Sequence, residues 1–294
     1  RNYQSLKYFY ELIENKKNNY QYDYFTILLA SIAKINVKNS DELADNTSNE
    51  IISFKGEGFI SAKMDDICAV MRYGSQGLKG RASHDHDDSL QVWLSQEGKD
   101  ILVDRGCHSY TLDKKIRESY ILSSAHNVIK PLKQERYGGK MGSIVKTARG
   151  AYIANQAKSW NDQKKSTFLK ASLKKNKNSK FLISDREVRL SKKQSGYLFS
   201  IRDDWHLKNH EQVELNFFFS KFHLPKEIDR IKNNKLIIGF KDQSLELNIK
   251  SNAHIEAKVF DYKFSDKYGF EEQCFGINII AQKNKGFIES NFSI

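Results

Sequence analysis

Between His84 and Asn127 the chain gathers side chains that can bind a cation or carry a proton. The stretch reads His84-Asp85-His86-Asp87-Asp88, then Asp104-Arg105-Gly106, then Ser124-Ala125-His126-Asn127. Successive residues of a β-strand point to opposite faces, which predicts His84, His86 and Asp88 on one side and Asp85 and Asp87 on the other. Two imidazoles spaced i, i+2, joined by a carboxylate from a neighbouring strand, make either a metal site or an acid–base pair.

Whether Asp104 reaches those histidines depends on the hairpin between them. The segment Asp88–Ser95 is followed by Gln96-Glu97-Gly98 and then by Lys99–Asp104. Glycine as the third loop residue suits a three-residue loop closed by a G1 bulge. That register pairs Ser95 with Lys99 and Leu90 with Asp104, and it puts Asp104 on the face of His86, Asp88 and Leu90. A two-residue Glu97-Gly98 turn would shift the pairing by one and send Asp104 to the other face.

The elements that must position these residues are mostly strands. Residues 3–35 carry helical spacing in Leu6, Phe9, Tyr10, Leu12 and Ile13, and again in Phe25, Ile27, Leu28, Leu29, Ile32 and Ala33. A polar linker, 36–50, follows. From Ile51 the texture becomes short β-like runs: Phe59–Met64, Ile67–Arg72, Leu90–Leu94, Ile101–Val103, Tyr197–Arg202, Val213–Phe219, Leu236–Phe240, Leu245–Ile249, His254–Phe260 and Phe275–Ala281. The low-complexity stretch Leu169–Lys180 reads as an exposed loop or hairpin tip. The expected fold class is mainly β, an antiparallel sandwich over 51–294 preceded by a short helical remnant over 1–50.

Composition narrows the partners. No apolar run approaches the roughly 18–20 residues of a membrane-spanning helix. Three cysteines, Cys68, Cys107 and Cys274, without C-x-x-C spacing, read as buried thiols rather than a disulfide framework or thiolate cluster. The formal charge is +12, and Lys130–Lys193 alone holds 18 Lys and Arg against 4 Asp and Glu, or +14. Such a segment attracts acidic polysaccharide, anionic lipid or nucleic acid, or is simply a solvated lysine-rich face. No RNA-recognition, zinc-finger or helix-turn-helix pattern accompanies it, so nucleic acid rests on charge alone.

Taken together, His84-x-His86-x-Asp88, Ile101-Leu102-Val103-Asp104-x-Gly106, Ser109-Tyr110, Arg117-x-x-Tyr120 and Ala125-His126-Asn127 resemble the C-terminal sheet domain of heparinase II/III-type polysaccharide lyases. The resemblance is specific over about 55–130 and looser through Arg186–Phe219 and Ser265–Ile280. It implies an incomplete (α/α) toroid before a multilayered antiparallel β-sandwich, with the active site in the cleft between them. The 1–50 helices would then be the end of that toroid, whose bulk, with a tyrosine acid or base, is expected upstream of Arg1. The resemblance further implies that His84 faces the substrate, that His86, Asp104 and His126 hold a structural zinc ion, and that the protein is bacterial and periplasmic or secreted. Tyr110 and Arg117 are candidates for binding a sugar carboxylate. Two departures stand out: Asp85 and Asp87 occupy positions usually held by Gly or Ala, and Arg105 stands where proline is usual.

The reading is therefore a lyase acting by β-elimination on an acidic, uronic-acid-containing polysaccharide, this chain supplying half of the site. A cupin-type metal enzyme would want a Glu four to six residues after the second histidine, where this chain has Gln91 and no Glu. The other alternative is a non-catalytic acidic-glycan-binding or degenerate lyase module. His206, His223 and His254 read as surface or structural histidines, and His108 as a turn residue.

Overall fold

Alternation of apolar and polar residues builds the sheets. In Tyr197–Leu207 every odd-numbered residue is buried and every even-numbered one only half-buried, the signature of a strand with one face on a core. The computed structural model describes residues 50–54, 58–74, 86–109, 114–133, 155–161, 166–172, 181–209, 212–220, 235–239 and 244–294. These fall in the second of two compact units, Arg1–Ser48 and Asn49–Ile294. The expected helices over 3–35 lie outside the described residues.

Sixteen strands occur among the described residues, in three antiparallel sheets. The first sheet runs β1 (Glu50–Phe54), β2 (Phe59–Met64), β3 (Ile67–Arg72), β4 (Val92–Gln96), β5 (Lys99–Leu102). The second has seven strands in the order β12 (Lys235–Gly239), β13 (Ser244–Ser251), β16 (Lys285–Ser293), β10 (Tyr197–Leu207), β9 (Phe181–Lys192), β8 (Ser166–Ser172), β7 (Asn155–Asn161). The third is β14 (Ile255–Phe264), β15 (Glu272–Ala281), β11 (Val213–Phe218), β6 (Ile129–Pro131). One helix, α1 (Lys114–Ile121), and a 3-10 turn at Ser123–Ala125 join β5 to β6. The fold is the expected multilayered antiparallel β-sandwich.

One hydrophobic core draws on all three sheets, with Ile60, Met71, Leu94, Phe199, Ile201, Phe217, Ile277 and Phe292 fully buried. A smaller cluster of Val103, Phe218, Tyr262 and Cys274 fills the opposite face of the third sheet. None of the cysteines forms a disulfide, and Cys68 and Cys107 are only half-buried, unlike Cys274.

Three expectations are corrected. Leu169–Lys180 is not all loop: residues up to Ser172 belong to β8, where Leu169 and Ala171 face the core, while 173–180 lie outside the described residues.

The second correction concerns the hairpin. Gln96 pairs with Lys99, so the turn is the two-residue Glu97-Gly98, with φ +50° and +72° at its two residues, as a type I′ turn requires. A bulge then intervenes: Ser95 pairs with Asp100 but Leu94 with Leu102, leaving Ile101 as an extra residue on β5. The two one-residue shifts restore the parity that the three-residue loop would have given.

Third, His86–Gln91 is not a strand. Gln91 N–H donates to Asp88 O at 2.8 Å across a turn in which Leu90 has φ +69°. Asp87 and Asp88 are both buried, so they do not divide between a core face and a solvent face.

Candidate metal centre

The site is assembled from three segments. His86 enters from the chain preceding the Asp88–Gln91 turn. That turn is pinned to β3 by Leu90 N–H to Arg72 O, Arg72 N–H to Gln91 O, both 2.9 Å, and a buried Arg72–Asp88 ion pair. Asp104 follows β5 and is oriented by its own motif: Gly106 N–H donates to Asp104 Oδ1 at 2.8 Å, leaving Oδ2 for His126. Only glycine serves at 106, where φ is +83° and a Cβ would stand 1.8 Å from Ser265 O. His126 ends the 3-10 turn and is fully buried.

Donor atoms of His86, Asp104 and His126 lie within 4.8 Å of one another, the one such group among the described residues. His126 Nδ1 and Asp104 Oδ2 are 2.6 Å apart, and the two imidazole rings are 5.3 Å apart between centroids. Burial works to raise the Asp104 carboxyl, but His126, the hydrogen bond to it, His86 and the Gly106 amide hold it below the usual carboxylate range. Burial works to depress the His126 imidazole, and Asp104, then Asp88 and Asp87, outweigh it and raise it. The Asp87 charge thus contributes to raising the His126 imidazole.

This donor set fits a zinc ion. Two imidazoles and one carboxylate are ordinary zinc ligands, with a fourth position open to water. His126 Nε2 is buried with no hydrogen-bond partner, an arrangement that costs free energy unless a cation or donor meets it. Carboxylates around the ring favour positive charge.

Asn127 locks the segments together. Its N–H donates to Gln91 Oε1 (2.6 Å), its Nδ2 to Val92 O (3.0 Å) and Val103 O (2.9 Å), and its Oδ1 accepts from Phe218 N–H (2.7 Å). Gln91, at the position where a cupin would need Glu, serves as an acceptor in this lock. Arg105, in place of the usual proline, is also accounted for. It donates to Ser119 O (2.8 Å) and Lys263 O (3.2 Å) and lies 4.9 Å over the Tyr120 ring. Tyr120 donates to Glu271 at 2.6 Å, and burial followed by this bond pushes its hydroxyl up.

Of the other expected site residues, His84 and Tyr110 lie outside the described residues, and Arg117 sits half-buried on α1. His108 stacks on Tyr120 at 6.3 Å between centroids, His254 is exposed and His206 half-buried, while His223 lies outside the described residues. Sequence reasoning missed Arg186 and Asp203, a fully buried ion pair behind the cluster. The signal was available: Asp203 breaks the inward series Phe199, Ile201, Trp205, Leu207 with a charge.

The family model for the heparinase II/III-like C-terminal domain matches residues 46–286. Among solved structures, the chain is similar to heparan sulfate lyase HepC from Pedobacter heparinus, with a TM-score of 0.67 and 15% identity over 99% of this chain and 41% of that one. It is similar to a heparinase III as well, with a TM-score of 0.69 and 13% identity over 97% of this chain and 42% of that one. At these identities the likeness is one of fold. The chain thus spans about two fifths of the length of these solved relatives. No curated protein matches it.

Proposed function

The chain belongs to the heparinase II/III-like family, as its C-terminal domain, and from that premise we propose that it supplies the β-sandwich side of a polysaccharide lyase active site. The substrate is an acidic glycan containing uronic acid. In β-elimination a base removes the proton on C5, the C4–O4 bond breaks as the C4=C5 double bond forms, and an acid delivers a proton to the departing O4. The developing charge on the uronate is met by nearby donors. His84 is the residue of this chain assigned to face the sugar, in proton abstraction or charge neutralisation, with Tyr110 and Arg117 as carboxylate contacts. The tyrosine acid belongs to a toroid domain preceding Arg1.

His86, Asp104 and His126 are assigned as zinc ligands. When bound, the ion would supply a fixed positive centre that ties three segments together, two residues from His84. The observation that carries this reading is the convergence of donor atoms of His86, Asp104 and His126 to within 4.8 Å of one another, with the His126 ring fully buried. The buried position of Asp87 also supports it, since that departure from the family pattern then adds no surface charge against an anionic sugar. A periplasmic or secreted setting is part of the same proposal.

Elemental analysis of protein purified without chelators is the test. About one zinc per chain is expected, and His86→Ala should lose it. Metal-free wild type, or an unchanged metal content in the variant, would remove the assignment.

A further inference from the structure

Two backbone carbonyls flank the candidate ligands: Leu90 O, at the end of the turn that follows His86, and Asn127 O, one residue beyond His126. Both accept hydrogen bonds from one atom, Arg186 Nη1, at 2.7 Å in the case of Leu90. The other edge of the guanidinium is held by Asp203, with Nε to Oδ1 and Nη2 to Oδ2 both 2.8 Å. Arg186 and Asp203 stand directly opposite each other on β9 and β10, facing inward, and are 0% and 1% exposed.

Stability alone does not explain this pair. Desolvating two charges is costly, and apolar residues of similar volume in place of a buried ion pair are often neutral or stabilising. What an apolar pair cannot do is bind two carbonyls on separate segments. The planar fork of arginine has enough donors to face Asp203 and both carbonyls in one fixed geometry, and a lysine ammonium does not share that geometry. One of the two segments is held in a conformation unusual for its residue, Leu90 at φ +69°, so its position depends on surrounding contacts.

We propose that Arg186, buttressed by Asp203, is a positioning residue for the metal centre: it fixes the spacing of the His86 and His126 segments from the core side. The inference rests on the zinc reading given above. It predicts a loss of metal affinity of about 10–100-fold on removing the fork, the size expected for groups that orient metal ligands.

The experiment uses the 294-residue chain as wild type, Arg186→Lys, and the double variant Arg186→Met with Asp203→Leu. Zinc affinity is measured by competition with a chromophoric chelator, the cobalt-substituted visible spectrum reports ligand geometry, and thermal unfolding without metal reports stability. The double variant should fold, yet bind zinc at least about 10-fold more weakly, with an altered cobalt spectrum. Wild-type affinity and spectrum in that variant would overturn the proposal. If it does not fold, Arg186→Lys decides, since it keeps the charge and loses the fork; unchanged affinity there overturns the proposal equally. Wild type that binds no metal would refute the zinc reading itself. Amide exchange then judges the positioning: Leu90, Asn127 and Phe218 should exchange at least about 10-fold faster in Arg186→Lys relative to Phe199, and equal rates would refute it.

Discussion

Asn127 shows how much one residue can do when every polar atom is used. It joins the turn ahead of β4, the end of β5 and β11 through four hydrogen bonds, all buried. Truncation at this position takes a donor from the carbonyls of Val92 and Val103 and the acceptor from the amide of Phe218. Asn127→Ala should therefore cost about 3 kcal/mol of stability, read from urea unfolding, well above an ordinary surface substitution. A change below about 1 kcal/mol would mean that water replaces the side chain. Gln91, which accepts from the Asn127 amide and donates one long bond to Val92 O (3.4 Å), should be the milder site. The same logic separates Asp104 from the other carboxylates: one oxygen is spent on Gly106 N–H and the other faces His126, so its orientation is fixed before any cation arrives.

At the scale of elements, the β4–β5 hairpin decides which face Asp104 occupies. Its turn needs φ > 0 at both central residues, and Glu97 is poorly suited to that, whereas asparagine tolerates it. Glu97→Asn should stabilise the domain by about 0.5 kcal/mol and raise Tm by roughly 1–2 °C, with metal content unchanged. A fall in Tm would indicate that the turn is not type I′ in solution. The bulge at Ile101 is the complementary device. Ile101, Leu102 and Val103 are buried in succession because the extra residue rotates the strand, and this brings Asp104 back toward His86. The Arg186–Asp203 pair works at the same scale, tying the second sheet to the turns that bear the ligands.

For the whole molecule, the proposed division of labour predicts that this chain alone gives no unsaturated uronic product, measured by ultraviolet absorbance. The longer protein carrying the toroid should turn over a uronic-acid polymer, and His84→Ala in it should cost about 100-fold or more. Turnover by the 294-residue chain would show that the site is not divided this way. An inactive longer protein that still binds acidic glycan would favour the non-catalytic module. The basic segment adds a second expectation. Of its 18 cationic residues, Lys130 and Arg186 are buried against Glu214 and Asp203, so the rest must supply any surface field. Binding to uronic-acid polymers should weaken with salt, as contacts beyond a Debye length of about 8 Å are screened. In competition at physiological salt the polymer should be preferred over duplex DNA. Equal or stronger DNA binding would reduce the segment to a nonspecific charged face.

The strands β2 and β3 were legible residue for residue, because each is a short apolar alternation with turn residues at both ends. The residue types of the metal centre were legible too, since two histidines and an aspartate in linked motifs carry their chemistry locally. The helix Lys114–Ile121 was not legible, nor were β6 and β7, which lack an apolar pattern of their own and are defined by the strands they pair with. Tertiary structure alone decided how the ligands meet. His86 lies outside any strand, so alternation could not orient it, and the face of Asp104 was set by a bulge that no local signal marks. Arg186, 59 residues from Asn127 and 96 from Leu90, joins the site through space. Sequence specifies which groups can pair; only the packed sheets bring a buried cation to the two carbonyls that need it, because that contact is paid for by neighbours distant in the chain.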